Sequence, residues 1–366
     1  MRHSTKRVSV RVNRPQRNVI GVDTSDKKSR ICVLSQDGEV LEETEIPTSM
    51  PGYTRYFKRQ ESALVTCEVG SHSAWIELVL RDCGHDVIVA NPREIEGMRK
   101  RNHKTDKRDA FLLARSALQS PESLHGITQR SPEIRRDMTL IKARSSLVEA
   151  RTALVNAVRG FVKPTGHRIP SKISTHAFHR KALEHIPADL GPALEPLLVT
   201  IAGLTQQIDH YDREIERCAK KYPVTERLKQ VGGVGPITSL LLVLVIMDPK
   251  RFKKSRDVGA YLGLVPKTYQ SGESDPQLGI TKSGNVLLRR LLVGSAHYIL
   301  GPFGEDSDLR RYGLALAQRG GKGAKKKAVV GGARKLAVLL HRLWVTAEDY
   351  EPLRNSTGRA SKRAIA

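Results

Sequence analysis

The sequence predicts an α/β domain, then a helical connector, then a mainly helical and strongly basic domain. Three observations lead there. Strand-length apolar runs broken by turn residues fill the first third of the chain, heptad-spaced apolar residues fill the middle, and a glycine turn followed by an apolar helix opens the last part. A chain of 366 residues exceeds one ordinary core and is long enough for two domains and a connector without staples.

The first domain is read from its elements in order. After a basic arm carrying Arg2, Lys6, Arg7, Arg11, Arg14 and Arg17, the run NVIGVDTS reads as a buried strand ending at Asp23. SRICVLS and GEVLEETEI, parted by Gln36, Asp37 and Gly38, read as two further strands of a meander. A short helix after Pro51 leads to ALVTCEVG, a strand ending at Glu68, and then to a helix from Ser73 to Asp82. HDVIVANP reads as a fifth strand, and KTDKRDAFLLARSAL as a helix with Ala110, Leu113, Ala114 and Leu118 at helical spacing. The expected order is β-β-β-α-β-α-β-α.

The connector is expected to be two long helices. Leu140, Leu147, Leu154 and Phe161 recur every seven residues, and Leu197, Ile201, Leu204, Ile208, Tyr211, Ile215 and Cys218 alternate spacings of four and three. Between them VKPTGHRIPSK looks mobile. The seams suit an antiparallel hairpin within one chain or an interface with a second protomer, and the spacing does not choose.

The last domain opens with LKQVGGVGPITSLLLVL, whose Gly232, Gly233 and Gly235 form the turn of a helix-hairpin-helix pattern. Such a turn can offer backbone N–H groups to a phosphate, or it can be only a tight connection. Further on, RGGKGAKKKAVVGGARK includes Lys325, Lys326 and Lys327 and no acid, the electrostatic footprint of a nucleic-acid contact or a solvated loop.

Charge narrows the partners. Lys and Arg outnumber Asp and Glu by 62 to 38, a net +24, so a polyanion is expected. The longest apolar run, Leu240 to Met247, is far below the roughly 18 residues that span a bilayer, so no membrane partner is expected. No apolar signal segment opens the chain, and the expected location is the cytoplasm, with nucleoid association when DNA is bound. Cys32, Cys67, Cys83 and Cys218 lack C-x-x-C pairs and read as small core residues; His176 and His179 have no matching second pair for zinc.

Four carboxylates carry the chemistry. Asp23 and Glu68 end two apolar strands, and Asp106 and Asp109 stand three residues apart at the start of a helix. Two carboxylates about 5 Å apart repel by roughly 3 kcal/mol at an effective dielectric of 20, so a cluster of four calls for a cation, and Mg²⁺ matches oxygen donors and phosphate alike. A D-x-x-D at a helix start is by itself more often a favourable charge at the helix N-terminus; the strand-end acids shift the reading toward metal. Lys104, Lys107 and Arg108 then face phosphate more naturally than they serve as salt-bridge partners.

IGVDTSDKKS, CEVGS, NHKTDKRDA, VGGVGP, AYLGLVPKTYQSG, ITKSGNVLLRRLL and GARKLAVLLHRLW follow one another in an order that resembles the DEDD transposases of bacterial insertion sequences. These are related to pilin-gene invertases and understood as bridge-RNA-guided serine recombinases. The resemblance runs from about Val19 to Trp344. It implies a RuvC-like, ribonuclease H-like domain at 18–125 after the basic arm 1–17, a coiled-coil region at 130–222, a transposase domain at 223–350 and a basic tail at 351–366. By motif the D-E-D-D set falls on Asp23, Glu68, Asp106 and Asp109, and the serine nucleophile on Ser271. Glu273 and Asp275 depart from the family's usual Gly or Ser after the Ser-Gly pair.

The implied activity is DNA transposition: Ser271 attacks a phosphodiester, a phosphoserine-DNA intermediate forms, and a DNA hydroxyl later reverses it without ATP. Mg²⁺ held by the four carboxylates would assist. The implied partners are donor and target DNA, a noncoding bridge RNA and further copies of the chain, as a dimer or tetramer, with serine and carboxylates given by different protomers. Lys282, Arg289 and Arg290, around a helix start just after the serine, are candidates for holding DNA phosphates. The alternatives are a RuvC-type metal-dependent, structure-selective endonuclease in which water attacks, and a noncatalytic nucleic-acid-binding protein.

Overall fold

The computed structural model describes residues 17–91, 106–124, 126–270, 276, 278–321 and 323–355, without the side chains of 106 and 107. They fall into two compact units that divide between Ser131 and Pro132.

In the first unit five strands, β1 (Val19–Thr24), β2 (Lys28–Leu34), β3 (Val40–Pro47), β4 (Leu64–Glu68) and β5 (Asp86–Ala90), form one sheet in the order β3-β2-β1-β4-β5. β1 pairs antiparallel with β2, and β2 with β3, because short turns join them. β1, β4 and β5 run parallel because helices α1 (Met50–Phe57) and α2 (Ser73–Asp82) provide the crossovers. The Gly38 turn between β2 and β3 has φ +94°, a left-handed backbone that glycine adopts without a Cβ penalty. The helix expected after Pro51 begins at Met50, capped by Ser49 Oγ accepting from the Gly52 N–H.

Both faces of the sheet are covered, so its strands are apolar runs more than alternating ones. Ile20, Val22, Ile31, Val65, Cys67, Val87 and Val89 pack against Tyr53 and Phe57 of α1 and Ile76 and Leu80 of α2. On the other face Val19, Cys32, Leu34, Leu64 and Ala90 pack against α3 (Asp106–Gln119) through Ala110, Leu113, Ala114 and Ala117. The architecture is a helix–sheet–helix sandwich with the predicted order of elements.

The second unit is helical: α4 (Pro132–Val162), α5 (Phe178–Lys181), α6 (Gly191–Ala219), α7 (Val224–Leu228), α8 (Pro236–Ile246), α9 (Asp257–Tyr261), α10 (Val286–Leu300), α11 (Asp308–Gln318) and α12 (Ala324–Thr346). α4 and α6 pack antiparallel: Asp137 meets Lys221, Arg144 meets Asp212 and Arg151 meets Thr205, in opposite senses along the two helices. The α6 seam is close to the expected one, with Ile201, Ile208, Ile215 and Cys218 buried. The α4 seam is not. The residues buried toward α6 are Ile141, Arg151, Val155, Val158 and Val162, while Leu140, Leu147 and Leu154 are half-buried and Phe161 is 56% exposed.

One further difference has a clear cause. The stretch after α4 is pinned: Arg159 donates to the carbonyls of Ile169 (2.7 Å), Pro170 (3.1 Å) and Ile173 (3.3 Å), and Ile169 and Phe178 are buried against α4 and α6. The apolar run at Leu240 is the buried α8, around which the helical core is built; a helix apolar on every side belongs inside. Among the described residues no helix is long and apolar enough to cross a membrane. Cys32, Cys67 and Cys218 are buried free thiols and Cys83 is half-buried.

Candidate metal centre and nucleic-acid surfaces

Strand register places the first two acids. β1 and β4 are parallel and Val22 lies opposite Cys67, so Asp23 and Glu68, one residue further on each strand, sit side by side at the same end. Side chains alternate across a strand. Asp23 therefore shares the face of Val19 and Gly21, and Glu68 that of Leu64 and Thr66, which is the face covered by α3.

The helix brings the other two to that end. A Cβ on Gly21 would lie 2.0 Å from the Ala110 carbonyl oxygen, so α3 crosses β1 with its backbone in contact, one residue after Asp109. Leu118, near the other end of α3, approaches Gly38, beyond the strand end where Leu34 pairs with Val19. α3 thus runs opposite to β1, and its first turns stand at the Asp23 and Glu68 end. Asp109 is buried, 6% exposed; position 106 lies one turn before Ala110 on the same stripe, with its side chain outside the described residues.

These placements bring Asp23, Glu68 and Asp109 to one end of one sheet face. Hard oxygen donors on a face largely closed by a helix suit a Mg²⁺-type cation. Among the described residues no three of His, Cys, Asp and Glu close into a metal group. Beside Ala110 a cleft of about 310 Å³ is lined by Arg30, Glu43 and Glu45, and Arg30, opposite Asp23 on β2, donates to Glu45 at 2.7 Å.

A tie between the loops at this end was not foreseen. His72, four residues after Glu68, bonds through Nε2 to Asp26 Oδ1 (3.2 Å), three residues after Asp23, and Trp75 Nε1 donates to His72 Nδ1 (3.1 Å). An indole N–H only donates, so Nδ1 is the acceptor and Nε2 carries the proton given to Asp26. The only sequence signal was a histidine closely following a strand-end acid.

Of the phosphate candidates, Arg108 is exposed on α3; Lys104 and the Lys107 side chain lie outside the described residues. Lys282 is exposed, with a left-handed φ of 57°. Arg289 donates to the carbonyls of Leu262 (3.1 Å) and Ser283 (2.6 Å) and so ties the loops before α10, while Arg290 pairs on the surface with Glu149 of α4 (2.6 Å). Gly233 and Gly235 meet Arg290 in an open groove with Gly294 and Tyr298; Gly233, at φ +82°, packs so closely that a Cβ would lie 2.9 Å from the Tyr298 ring, and Gly232 has open space. Gly235 caps α8 without a side-chain bond. Lys325, Lys326 and Lys327 are exposed in the first turn of α12. The basic arm before Arg17, Ser271, Glu273, Asp275 and the tail from residue 356 lie outside the described residues. His176 bonds Asp209 (3.2 Å).

Comparison with known proteins matches both units. A family model described as Transposase, of the DEDD type of IS110, matches residues 20–166, and one described as Transposase IS116/IS110/IS902 family matches residues 225–304. The chain is 27% identical to the transposase for insertion sequence element IS1111A of Coxiella burnetii, over 91% of each chain. It is 28% identical to the transposase for IS1328 of Yersinia enterocolitica, over 77% of this chain and 84% of the other. It is 25% identical to a pilin gene-inverting protein of Moraxella lacunata, over 70% and 71%.

Proposed function

Since the chain belongs to the IS110/IS116 family of DEDD insertion-sequence transposases, we propose that it cuts and rejoins DNA through a phosphoserine intermediate on Ser271, assisted by a divalent metal site of Asp23, Glu68, Asp106 and Asp109. The observation that carries this reading is the side-by-side placement of Asp23 and Glu68 under the first turns of α3, where Asp109 is buried. The strand order, with an antiparallel meander joined to a parallel pair, supports a ribonuclease H-like, RuvC-like domain.

In the cutting step the Ser271 Oγ–P bond forms as a P–O bond of the DNA strand breaks, and the serine proton ends on the released DNA hydroxyl. In rejoining, a hydroxyl of the exchanged strand attacks phosphorus and Ser271 recovers its proton. One phosphate ester replaces another, so no nucleotide is consumed. Asp23 and Glu68 keep their spacing through the strand pair, while α3 holds Asp109 away from bulk water. Mg²⁺, when bound there, would polarise phosphate oxygens and favour the serine alkoxide.

The net +24 supports a polyanionic partner, and the reading adds to DNA a noncoding bridge RNA that selects donor and target, as the family resemblance implies. Leu147 and Phe161 of α4, half-buried and exposed and outside the helical cores against which Leu140 and Leu154 pack, support a second copy of the chain as partner.

The test is to incubate protein, Mg²⁺, guide RNA and DNA, denature, and look for a covalent protein–DNA species. It is expected with the native chain and absent in Ser271→Ala. Cleavage without an adduct would establish the hydrolytic RuvC-type reading, and an adduct surviving Ser271→Ala would overturn the nucleophile. Mixing Ser271→Ala with Asp106→Asn protein is expected to restore part of the activity.

A further inference from the structure

Away from the carboxylates and the glycine turn, the second unit holds a cavity of about 510 Å³ between α11, α12 and the segment after α12. We propose that this cavity binds one nucleotide of a single-stranded nucleic acid, its base on the apolar floor and its phosphates on Arg256, Arg334 and Lys335. The proposal goes beyond transposition chemistry, since it uses neither the metal site nor the serine.

The volume is that of small-ligand sites, which run from roughly 300 to 1,000 Å³. Val338 and Leu339 of α12 make a half-buried floor, with Leu309 and Leu343 buried behind them. Tyr312 of α11 forms a wall, and Lys335 Nζ stands 3.9 Å from its ring centroid, so an aromatic face and a cation already act as one unit. Tyr312 lies beside Gly331 of α12: a Cβ there would stand 3.8 Å from the tyrosine oxygen, an ordinary contact, and 3.0 Å from Leu316 Cδ1, so the ring's place does not depend on the glycine.

The charges are arranged for an anion. Among the described residues no acid pairs with Arg256, Arg334 or Lys335, although acids are nearby. Those acids have other partners. Asp308 accepts from the Asn355 N–H and side-chain amide, Asp349 accepts from Gln230, Glu348 is shared by Arg342 and Arg354, and Glu351 interacts electrostatically with Arg354. Among the described residues the lining holds five cations, Arg256, Arg334, Lys335, Arg342 and Arg354, against three carboxylates, Asp308, Asp349 and Glu351, so the rim keeps a positive excess over an apolar floor. An acidic peptide would satisfy the rim and leave the floor empty. A duplex would present phosphates while keeping its bases stacked inside, whereas an unpaired nucleotide offers both parts at once.

The experiment uses the full chain in EDTA, where no chemistry proceeds, and fluorescence anisotropy with a labelled 12-nucleotide single strand and the duplex of the same sequence. Tyr312→Ala and Val338→Phe, the second filling the floor without touching charge, are expected to weaken single-strand binding by roughly 5-fold or more and leave duplex binding within about twofold. Arg334→Ala with Lys335→Ala is expected to lower the single-strand salt slope by about 1.4, at roughly 0.7 per phosphate contact. Equal losses on strand and duplex would overturn the proposal, as would unchanged single-strand binding in a folded Tyr312→Ala protein. So would competition by poly-glutamate as effective as by the unlabelled strand, or adenosine monophosphate binding as tightly as the 12-mer. A protein that forms no serine adduct still gives a clear answer here.

Discussion

Gly21 of β1 and Ala110 of α3 touch backbone to backbone: a Cβ on Gly21 would fall 2.0 Å from the Ala110 carbonyl oxygen and 2.6 Å from the Ala114 nitrogen. The glycine is needed for space, since its φ is not left-handed. Neither backbone can yield as a flexible side chain would, so Gly21→Ala must lift the helix. The expected cost is about 1–3 kcal/mol, read as a lower urea midpoint. Because α3 carries Asp106 and Asp109, Mn²⁺ affinity by calorimetry should also fall, and more than in Leu80→Ala, which loosens the opposite face of the sheet. Equal Mn²⁺ losses in the two variants would show that α3 docking does not set Mn²⁺ binding at the proposed site.

His72 is expected to matter in the same way at lower structural cost. It ties the loop after β1 to the loop after β4, three and four residues beyond Asp23 and Glu68, through an exposed contact to Asp26. His72→Ala should leave the thermal midpoint within a few degrees but lower Mn²⁺ affinity by about tenfold, the lower end of the roughly 10–100-fold seen when groups behind the ligands are removed. His72→Gln, which keeps a donor for Asp26, should recover part of it. Unaltered Mn²⁺ binding in His72→Ala would remove His72 from the site.

How much of this was legible in the sequence depended on whether a residue's partner lay nearby along the chain. The strands were legible because a sheet covered on both faces needs long apolar runs, and Asp23 and Glu68 stood out as charges ending two of them. The burial of Asp109 was not, since a D-x-x-D at a helix start looks the same exposed or enclosed. The α4 seam was misread because the stripe facing α6 contains Arg144 and Arg151, whose partners Asp212 and Thr205 lie over 50 residues away, so the more apolar stripe at Leu140 looked like the seam. The segment after α4 looked mobile because nothing local shows that Arg159 binds its carbonyls. The contacts of Arg289 with Ser283 and of Arg290 with Glu149 were likewise invisible locally, the second partner lying on another helix.

Asp137 should make the helical unit acid-sensitive. It is 2% exposed on α4; burial pushes its carboxyl up, but hydrogen bonds from Tyr222 (2.8 Å), Lys221 (3.2 Å) and Cys218 outweigh burial and leave it below the usual carboxylate range. A carboxyl held low in the folded state stabilises it above the unfolded value near 4, and that contribution is lost as pH falls through the lowered value. The urea midpoint of the native chain should therefore drop below about pH 4. Asp137→Asn should be less stable at pH 7 by about 1.5–3 kcal/mol, read as a lower urea midpoint, with a smaller fall in that midpoint on going to acid than in the native chain. Parallel pH profiles in the two proteins would contradict this account.

Lys325, Lys326 and Lys327 stand in the first turn of α12, where the helix dipole and unpaired N–H groups already supply positive charge, with Gly323 giving no side-chain cap and no acid in the turn. Three cations there oppose helix stability, which is understandable if they serve a polyanion. Replacing Lys325 and Lys326 by Glu should raise stability by about 0.5–2 kcal/mol, at roughly 0.3–1 kcal/mol per site, seen as a higher urea midpoint. The same substitutions should weaken duplex DNA binding at low salt. With the neutral pair Lys325→Gln and Lys326→Gln, the slope of log affinity against log salt should fall by about 1.8 if both lysines meet phosphates, at roughly 0.9 for each. Gains in stability with an unchanged salt slope would make these lysines a solvated helix start, and the contact with DNA would have to be sought at Lys282 and the groove of Gly233, Gly235 and Tyr298.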